Sequence, residues 1–345
     1  MWMYICMSLA AAGPAEDVRA DLLAEMASQR IPGASVAVVR DGEVVFSEAL
    51  GVSDRNAGTP MTPETRMAIG SVGKTVTATL IGQLVEEGSL SYTDTLGELL
   101  PEVGPTYAQV TVHELLTHMS GVPRDFKRFD SFTGKKLFRK LRRSDAEFAS
   151  GGGWSYSNTG FILLGEIIER QTGMSFAHAV EQRILEPAHM TGALTIEAGA
   201  DPERASAYER PEGPPARLFP ARYGAGNLVA TAQDMAAYDI ALASGSLLPL
   251  DAQALQWVPD APTASVGMAD GEMFSVGRGW WVGDWQDHRT VGHTGSIDGY
   301  NAVYERYPDD DVSLVVLTNA EYADLGPLLD ILRVAYVEDD TIGSD

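Results

Sequence analysis

The chain has 345 residues, 45% hydrophobic and 21% charged, which excludes a disordered or fibrous polypeptide and suffices for one large or two modest domains with a buried core. Its 48 acidic and 25 basic side chains leave a formal charge of -23, a surface that repels phosphate backbones, so nucleic acid is not an expected partner. Cys6 is the only cysteine, which excludes an intramolecular disulfide and leaves the redox compartment unread.

Residues 1–15 open the chain with an apolar run that ends in small residues. They read as a signal-peptide core with cleavage after Ala12, although the usual basic stretch before it is missing. The expectation is export, periplasmic or secreted; the alternative is a frayed N-terminus on a cytoplasmic protein. No later run reaches the 18 or so apolar residues of a membrane span. Residues 16–30 read as an amphipathic helix with Val18, Leu22, Leu23 and Met26 on one side. A hairpin follows, 34–40 against 43–47, because Asp41-Gly42 suits the positive φ of a tight turn. Residues 51–65 read as loop, and the apolar spacing of Val76, Leu80 and Leu84 predicts a helix closed by Gly88.

Ser71 therefore sits at or near a helix N-terminus, with Lys74 three residues on and about 60° round the helix. A serine hydroxyl needs a base beside it to become a nucleophile, and an amine serves if burial or a neighbouring cation lowers its pKa. The helix N-terminus adds unpaired N–H groups that can face an oxyanion. Alone, the pattern fits equally an N-cap serine with a surface lysine. Gly73-Lys74-Thr75 also matches the end of a phosphate-binding loop, but the leading glycine is replaced by Ala68 and no buried strand precedes it.

Further along, residues 110–123 predict a short helix ended by Gly121 and Pro123. Its His113 and His118 are five residues apart, about 140° on a helix, which disfavours a zinc pair and leaves them as structural histidines. Residues 124–143 hold a basic run, Lys127, Arg128, Lys135, Lys136, Arg139, Lys140, Arg142 and Arg143, interleaved with Leu137, Phe138 and Leu141. It reads as a solvated helix face; the alternative is a segment touching anionic lipid, cell-wall polymer or a substrate carboxylate. A loop over 151–160 enters a helix over 161–171, and more helix is predicted over 175–184. Residues 202–220 read as a proline-rich surface excursion, Thr231 as the N-cap of another helix, and 259–276 as loop. Strands are predicted over 274–282, 289–295, 300–307 and 312–317, with a closing helix over 325–336.

Strands at both ends with helices between imply an α+β fold. N- and C-terminal strands, 16–60 and 285–338, join in one antiparallel sheet, a mainly helical region over 61–284 is inserted, and 339–345 form an acidic tail.

Three motifs now fall in order: Ser71-Val72-Gly73-Lys74, Tyr156-Ser157-Asn158 and His293-Thr294-Gly295. With the stretches 115–121, 156–165 and 226–234, they resemble the penicillin-recognising serine hydrolases: class C β-lactamases, D-alanyl-D-alanine carboxypeptidases and related esterases. The resemblance implies that Ser71 forms an acyl-enzyme and that Lys74 and Tyr156 share the general-base role. It implies that Asn158 holds Lys74 and the substrate amide, and that His293, Thr294, Gly295 and Ser296 line the substrate site. Backbone N–H groups of Ser71 and Ser296 would form the oxyanion hole. Histidine at 293 stands where most β-lactamases carry lysine, and would position Tyr156 or a substrate carboxylate. A glycine run, 151–153, replaces a family proline before Tyr156. The expected substrate is a small molecule or peptide, with a peptidoglycan fragment among the candidates; no metal or organic cofactor is implied. β-Lactams, a catalytically silent cell-wall binder and a nucleotide-binding protein are the rival readings.

Overall fold

Two central strands buried on both faces set the architecture of the computed structural model, which describes residues 14–126, 133–195, 201, 203–217, 223–226, 228–260, 266–267 and 273–338. The strands are β1 (Gly33–Arg40), β2 (Glu43–Asp54), β3 (Thr59–Pro60), β4 (Met67–Ala68), β5 (Leu194–Thr195), β6 (Leu228–Ala230), β7 (Val266–Gly267), β8 (Met273–Val276), β9 (Trp281–Trp285), β10 (His288–Ile297), β11 (Tyr300–Tyr307) and β12 (Val312–Thr318). The α-helices are α1 (Pro14–Gln29), α2 (Gly73–Glu86), α3 (Leu96–Leu99), α4 (Val112–Leu116), α5 (Gly134–Leu141), α6 (Asn158–Thr172), α7 (Phe176–Val180), α8 (Ala232–Ala243), α9 (Leu250–Gln256) and α10 (Gly326–Arg333).

Nine strands form one antiparallel sheet in the order β3-β2-β1-β12-β11-β10-β9-β8-β7, and β4-β6-β5 form a small second sheet. The first and last long strands are neighbours, with Val36 opposite Val316 and Val38 opposite Leu314. Side chains alternate along a strand, so those four residues face α1 and α10, while Ala37, Val39, Val315 and Leu317 face the helical region. Burial on both sides explains why these strands read as continuous apolar runs. The expected α+β arrangement is present, and Asp41 and Gly42 take positive φ in the hairpin turn.

Several boundaries differ from expectation. The second strand runs on to Asp54 because the β1 pairing persists past a register shift, Gly33 lying opposite Gly51. The single strand expected over 274–282 is two, β8 and β9, divided by a turn at Gly277–Gly279 where Gly279 has φ +84°. A Cβ on Gly279 would come within 2.6 Å of the Ala78 methyl group, so the turn lets the sheet press against α2. Parts of the expected 259–276 loop are β7 and β8, so the sheet starts upstream of residue 285. The 203–217 part of the expected surface excursion is pinned: Tyr208 is buried and its N–H reaches the carbonyls of Gly299 and Asn319. The expected signal segment through residue 13, the 339–345 tail, Lys127 and Arg128 lie outside the described residues.

In α5, Leu137, Phe138 and Leu141 are buried in the protein's own core while Lys135, Lys136 and Arg139 are exposed. Among the described residues no helix is long and apolar enough to cross a membrane.

Candidate active site

Ser71 lies in a single 3-10 turn, Gly70–Val72, that leads directly into α2 at Gly73. The predicted helix N-terminus is therefore where the sequence placed it, and α2 has no side-chain N-cap to occupy its first N–H groups. The turn is wedged between two backbones. Gly70 has φ +52°, and a Cβ there would stand 3.1 Å from Ser296 N; a Cβ on Gly226 would stand 2.8 Å from Gly70 O. On the sheet side, a Cβ on Gly295 would fall 2.8 Å from Ser71 N. These glycines are what allow the end of β10 to lie against the Ser71 peptide.

Lys74, the second residue of α2 and about one turn beyond Ser71, is fully buried. Its Nζ lies 3.0 Å from Ser71 Oγ, 2.9 Å from Asn158 Oδ1 and 2.8 Å from the Ala225 carbonyl. An amide oxygen and a carbonyl can only accept, whereas the hydroxyl can accept or donate. As an ammonium, Lys74 donates to all three. As a neutral amine it donates to the two obligate acceptors and its lone pair is left for the Ser71 proton. The set thus fits both protonation states of a general base without rearrangement.

Asn158 opens α6, whose N-cap is Ser157: its Oγ accepts from Gly160 N at 3.0 Å and donates to the Pro123 carbonyl at 3.1 Å. Ser157 rather than Asn158 caps this helix, which leaves the Asn158 side chain for Lys74. Gly73-Lys74-Thr75 is committed likewise: Lys74 points to Ser71 and Asn158 rather than to an open phosphate cradle.

Tyr156 stands beside this pair, its ring centroid 4.9 Å from Lys74 Nζ. The glycine run before it does not leave it loose, because His118 grips both flanking residues. The His118 carbonyl accepts from Ser155 N at 3.0 Å, and its Nδ1 accepts from Ser157 N at 3.1 Å. The His118 ring packs 4.4 Å from the Tyr156 ring. His118 takes φ +61°, a strained value for a non-glycine residue. Its pKa lies well below the ordinary value, first through burial and then through the charges of Lys74, His293 and Arg124. The neutral ring is the form that can accept from Ser157.

His293 closes the far side. It is 3% exposed, its ring lying 4.7 Å from Trp281 and 6.3 Å from Tyr156. Its Nδ1 lies 2.6 Å from the Thr294 carbonyl, which can only accept, so the proton sits on Nδ1 and Nε2 keeps its lone pair. Burial, then the Lys74 charge, push its pKa down to about 3, against the opposing pull of the Thr294 carbonyl. A neutral histidine cannot hold a substrate carboxylate as a cation would. Of the two tasks weighed for His293, positioning Tyr156 fits this charge state and pairing with a carboxylate does not.

Ser296 turns its hydroxyl toward Glu321, at 3.4 Å, so its backbone rather than its side chain faces Ser71. Thr294 contributes the carbonyl that fixes the His293 tautomer. Ser71, Lys74, Tyr156, Asn158, His293 and Gly295 thus converge from α2, the loop before α6, α6 itself and β10. His118, read as a structural histidine, is one, holding the loop of Tyr156 from within the core, while Asp125 and Trp281 beside the site were not singled out by the sequence reading. No local sequence signal marks Asp125 or Trp281. The His113 side chain is elsewhere, 3.1 Å from an Asp260 oxygen and accepting from Arg278 at 3.1 Å. Among the described residues no cluster of three His, Cys, Asp or Glu side chains could hold a metal ion.

The chain is similar in sequence and in fold to several known proteins. Penicillin-binding protein 4* of Bacillus subtilis (strain 168) is 27% identical over 314 residues, covering 83% of this chain and 68% of that protein. Esterase EstB of Burkholderia gladioli is 32% identical over 215 residues, 55% of this chain and 53% of its own length. The octameric penicillin-binding protein homologue from Pyrococcus abyssi superposes with a TM-score of 0.78 at 28% identity, covering 92% of this chain and 76% of that one. The model of the Beta-lactamase family matches residues 18–337, and over that near-complete span the chain belongs to this family of serine hydrolases.

Proposed function

We propose that the chain hydrolyses esters and amides through an acyl intermediate on Ser71, at the esterase-like end of its family's range. The observation that carries this reading is the Lys74 Nζ, buried 3.0 Å from Ser71 Oγ with two pure acceptors on its other sides. Lys74 takes the hydroxyl proton as Oγ attacks the carbonyl carbon, and Tyr156 shares in that transfer. The developing oxyanion is met by the Ser71 and Ser296 N–H groups. Tyr156 then returns the proton to the departing alcohol or amine, and the same groups activate the water that frees Ser71.

The state of His293 supports a substrate without a carboxylate at that point. The Trp281 ring, 5.9 Å from the Tyr156 ring and 4.7 Å from the His293 ring, supports an apolar or aromatic group beside Tyr156. A second reading, D-alanyl-D-alanine carboxypeptidase, draws on Arg124, whose guanidinium lies 5.5 Å from the Tyr156 ring and could receive a terminal carboxylate. β-Lactam hydrolysis ranks below both, since it would lean on that same single cation.

Pure protein assayed in parallel with p-nitrophenyl esters, nitrocefin and a D-Ala-D-Ala peptide is expected to turn over the esters fastest. Ser71→Ala is expected to abolish turnover and fluorophosphonate labelling. Undiminished labelling of that variant would overturn the assignment; peptide turnover exceeding ester turnover would move the reading to the carboxypeptidase.

A further inference from the structure

Asn158 has two faces, and only one has been accounted for. Its Oδ1 receives Lys74, while its Nδ2 lies 3.2 and 3.3 Å from the two oxygens of Asp125, in the loop that follows α4. A carboxylate only accepts, so it selects the NH2 end of the amide and leaves the oxygen end for Lys74. If the amide turned over, its NH2 would oppose the Lys74 N–H groups and its oxygen would oppose the Asp125 carboxylate. Both arrangements lose a hydrogen bond and add a repulsion.

We infer that Asp125 is a positioning residue for the reaction: it locks the Asn158 amide, and through it holds Lys74 in line with Ser71. This rests on the acyl-serine reading above and extends it to a residue that touches none of the reacting atoms. Three features of the structure support it. Asn158 is 3% exposed, so a misplaced amide has no water to satisfy it. The Asp125 side chain is 30% exposed and packs no core, so the carboxylate is not needed for burial. The peptide next to it is also engaged, the Arg124 carbonyl accepting from Thr159 N at 3.2 Å and the Arg124 N–H donating to Glu147 at 3.1 Å, which anchors the loop to α6.

The chain Asp125–Asn158–Lys74 also carries charge. Lys74 is faced by His118 after α4, by Tyr156 and Arg124 from the loops beside α6, and by His293 from β10. Both histidines are held neutral, and Arg124 lies over the Tyr156 ring with its Nε 3.9 Å from an Asp125 oxygen. Asp125 favours the ammonium and disfavours a phenolate on Tyr156. Removing its charge therefore lowers the pKa of whichever of the two groups serves as base.

Three variants and one assay test this, with p-nitrophenyl acetate as substrate. Asp125→Leu removes the acceptor; a misdirected base is expected to cost on the order of 100-fold in kcat with little change in KM. Asp125→Asn keeps an oxygen that can accept from Asn158 Nδ2 without the charge. It is expected to restore kcat toward the parent rate while the acid limb of kcat/KM, which reports the free enzyme's base, moves to lower pH. Ser71→Ala separates the two readings. Turnover surviving in it defeats the acyl-serine mechanism itself. With Ser71→Ala inactive, equal kcat values for the Leu and Asn variants and an unmoved acid limb in Asp125→Asn would overturn the role given to Asp125, even if Asp125→Leu proved unstable.

Discussion

Two cations are buried on opposite faces of the same sheet, and they are treated differently. Arg333, on the side of α1 and α10, meets charge with charge. Its Nε and Nη2 lie 2.9 and 2.8 Å from the two oxygens of Glu305, and Nη1 lies 3.0 Å from Asp330. Lys74, on the side of the helical region, is surrounded in its closest contacts by neutral dipoles: a hydroxyl, an amide oxygen and a peptide carbonyl. A cation matched by a carboxylate holds its proton and serves the fold. A cation whose nearest contacts are a hydroxyl, an amide oxygen and a peptide carbonyl meets no carboxylate in those contacts, which is where the acyl-serine proposal puts its base. On the acyl-serine proposal, this difference in partners separates a structural charge from a chemical one more clearly than burial does, since Arg333 is 2% exposed and Lys74 0%.

The contrast can be broken most severely at Lys74. Lys74→Met is expected to lower kcat/KM for p-nitrophenyl acetate by about 10³-fold or more while the thermal unfolding midpoint stays near the parent value. If the variant instead unfolds with its activity per folded molecule intact, Lys74 is structural and the comparison fails. Arg333→Met should do the reverse. It strands the Glu305 carboxylate in a buried site, an expected loss of about 3–5 kcal/mol in denaturant unfolding, with unchanged kcat per folded molecule. Equal stability of parent and variant would show that the Arg333–Glu305 pair contributes nothing net.

A smaller effect sharpens the comparison through pH. His293 titrates near 3 in the folded protein against an ordinary value of 6.5, and His118 is lowered in the same direction. Between those values the unfolded chain binds protons that the folded one refuses, so stability falls as pH drops from 6.5 toward 3 and is insensitive to these groups above 6.5. Each excluded proton contributes a slope of about 1.4 kcal/mol per pH unit. His293→Gln is expected to flatten that slope in unfolding experiments across the same range. An acid profile identical to the parent's would mean that His293 is protonated in the folded state and available to a substrate carboxylate after all.

Much of this was legible because it is local. The Asp41-Gly42 hairpin rests on two residues that accept positive φ. Thr231 caps α8 by accepting from Asp234 N at 3.0 Å, as its residue type predicts. Ser71 and Lys74 share a face because the spacing of a helix requires it. What failed was set at a distance. The break between β8 and β9 follows from the approach of α2 to Gly279. Tyr208 is buried by strands that lie over ninety residues downstream. His118 was read from its spacing as a structural histidine, and nothing near it in sequence shows that its carbonyl and ring clamp the residues either side of a tyrosine 38 positions away.

The sequence by itself determined which groups the chain owns and where its turns and caps fall, since these depend on neighbours a few residues apart. Only the tertiary structure decided what those groups are chemically. On the proposed mechanism, whether Lys74 is a surface ammonium or a base, whether His293 is a cation or an acceptor, and which end of the Asn158 amide faces Lys74 all depend on solvent exclusion and on partners brought from far along the chain. Proton affinity is a property of surroundings, and no residue name carries it.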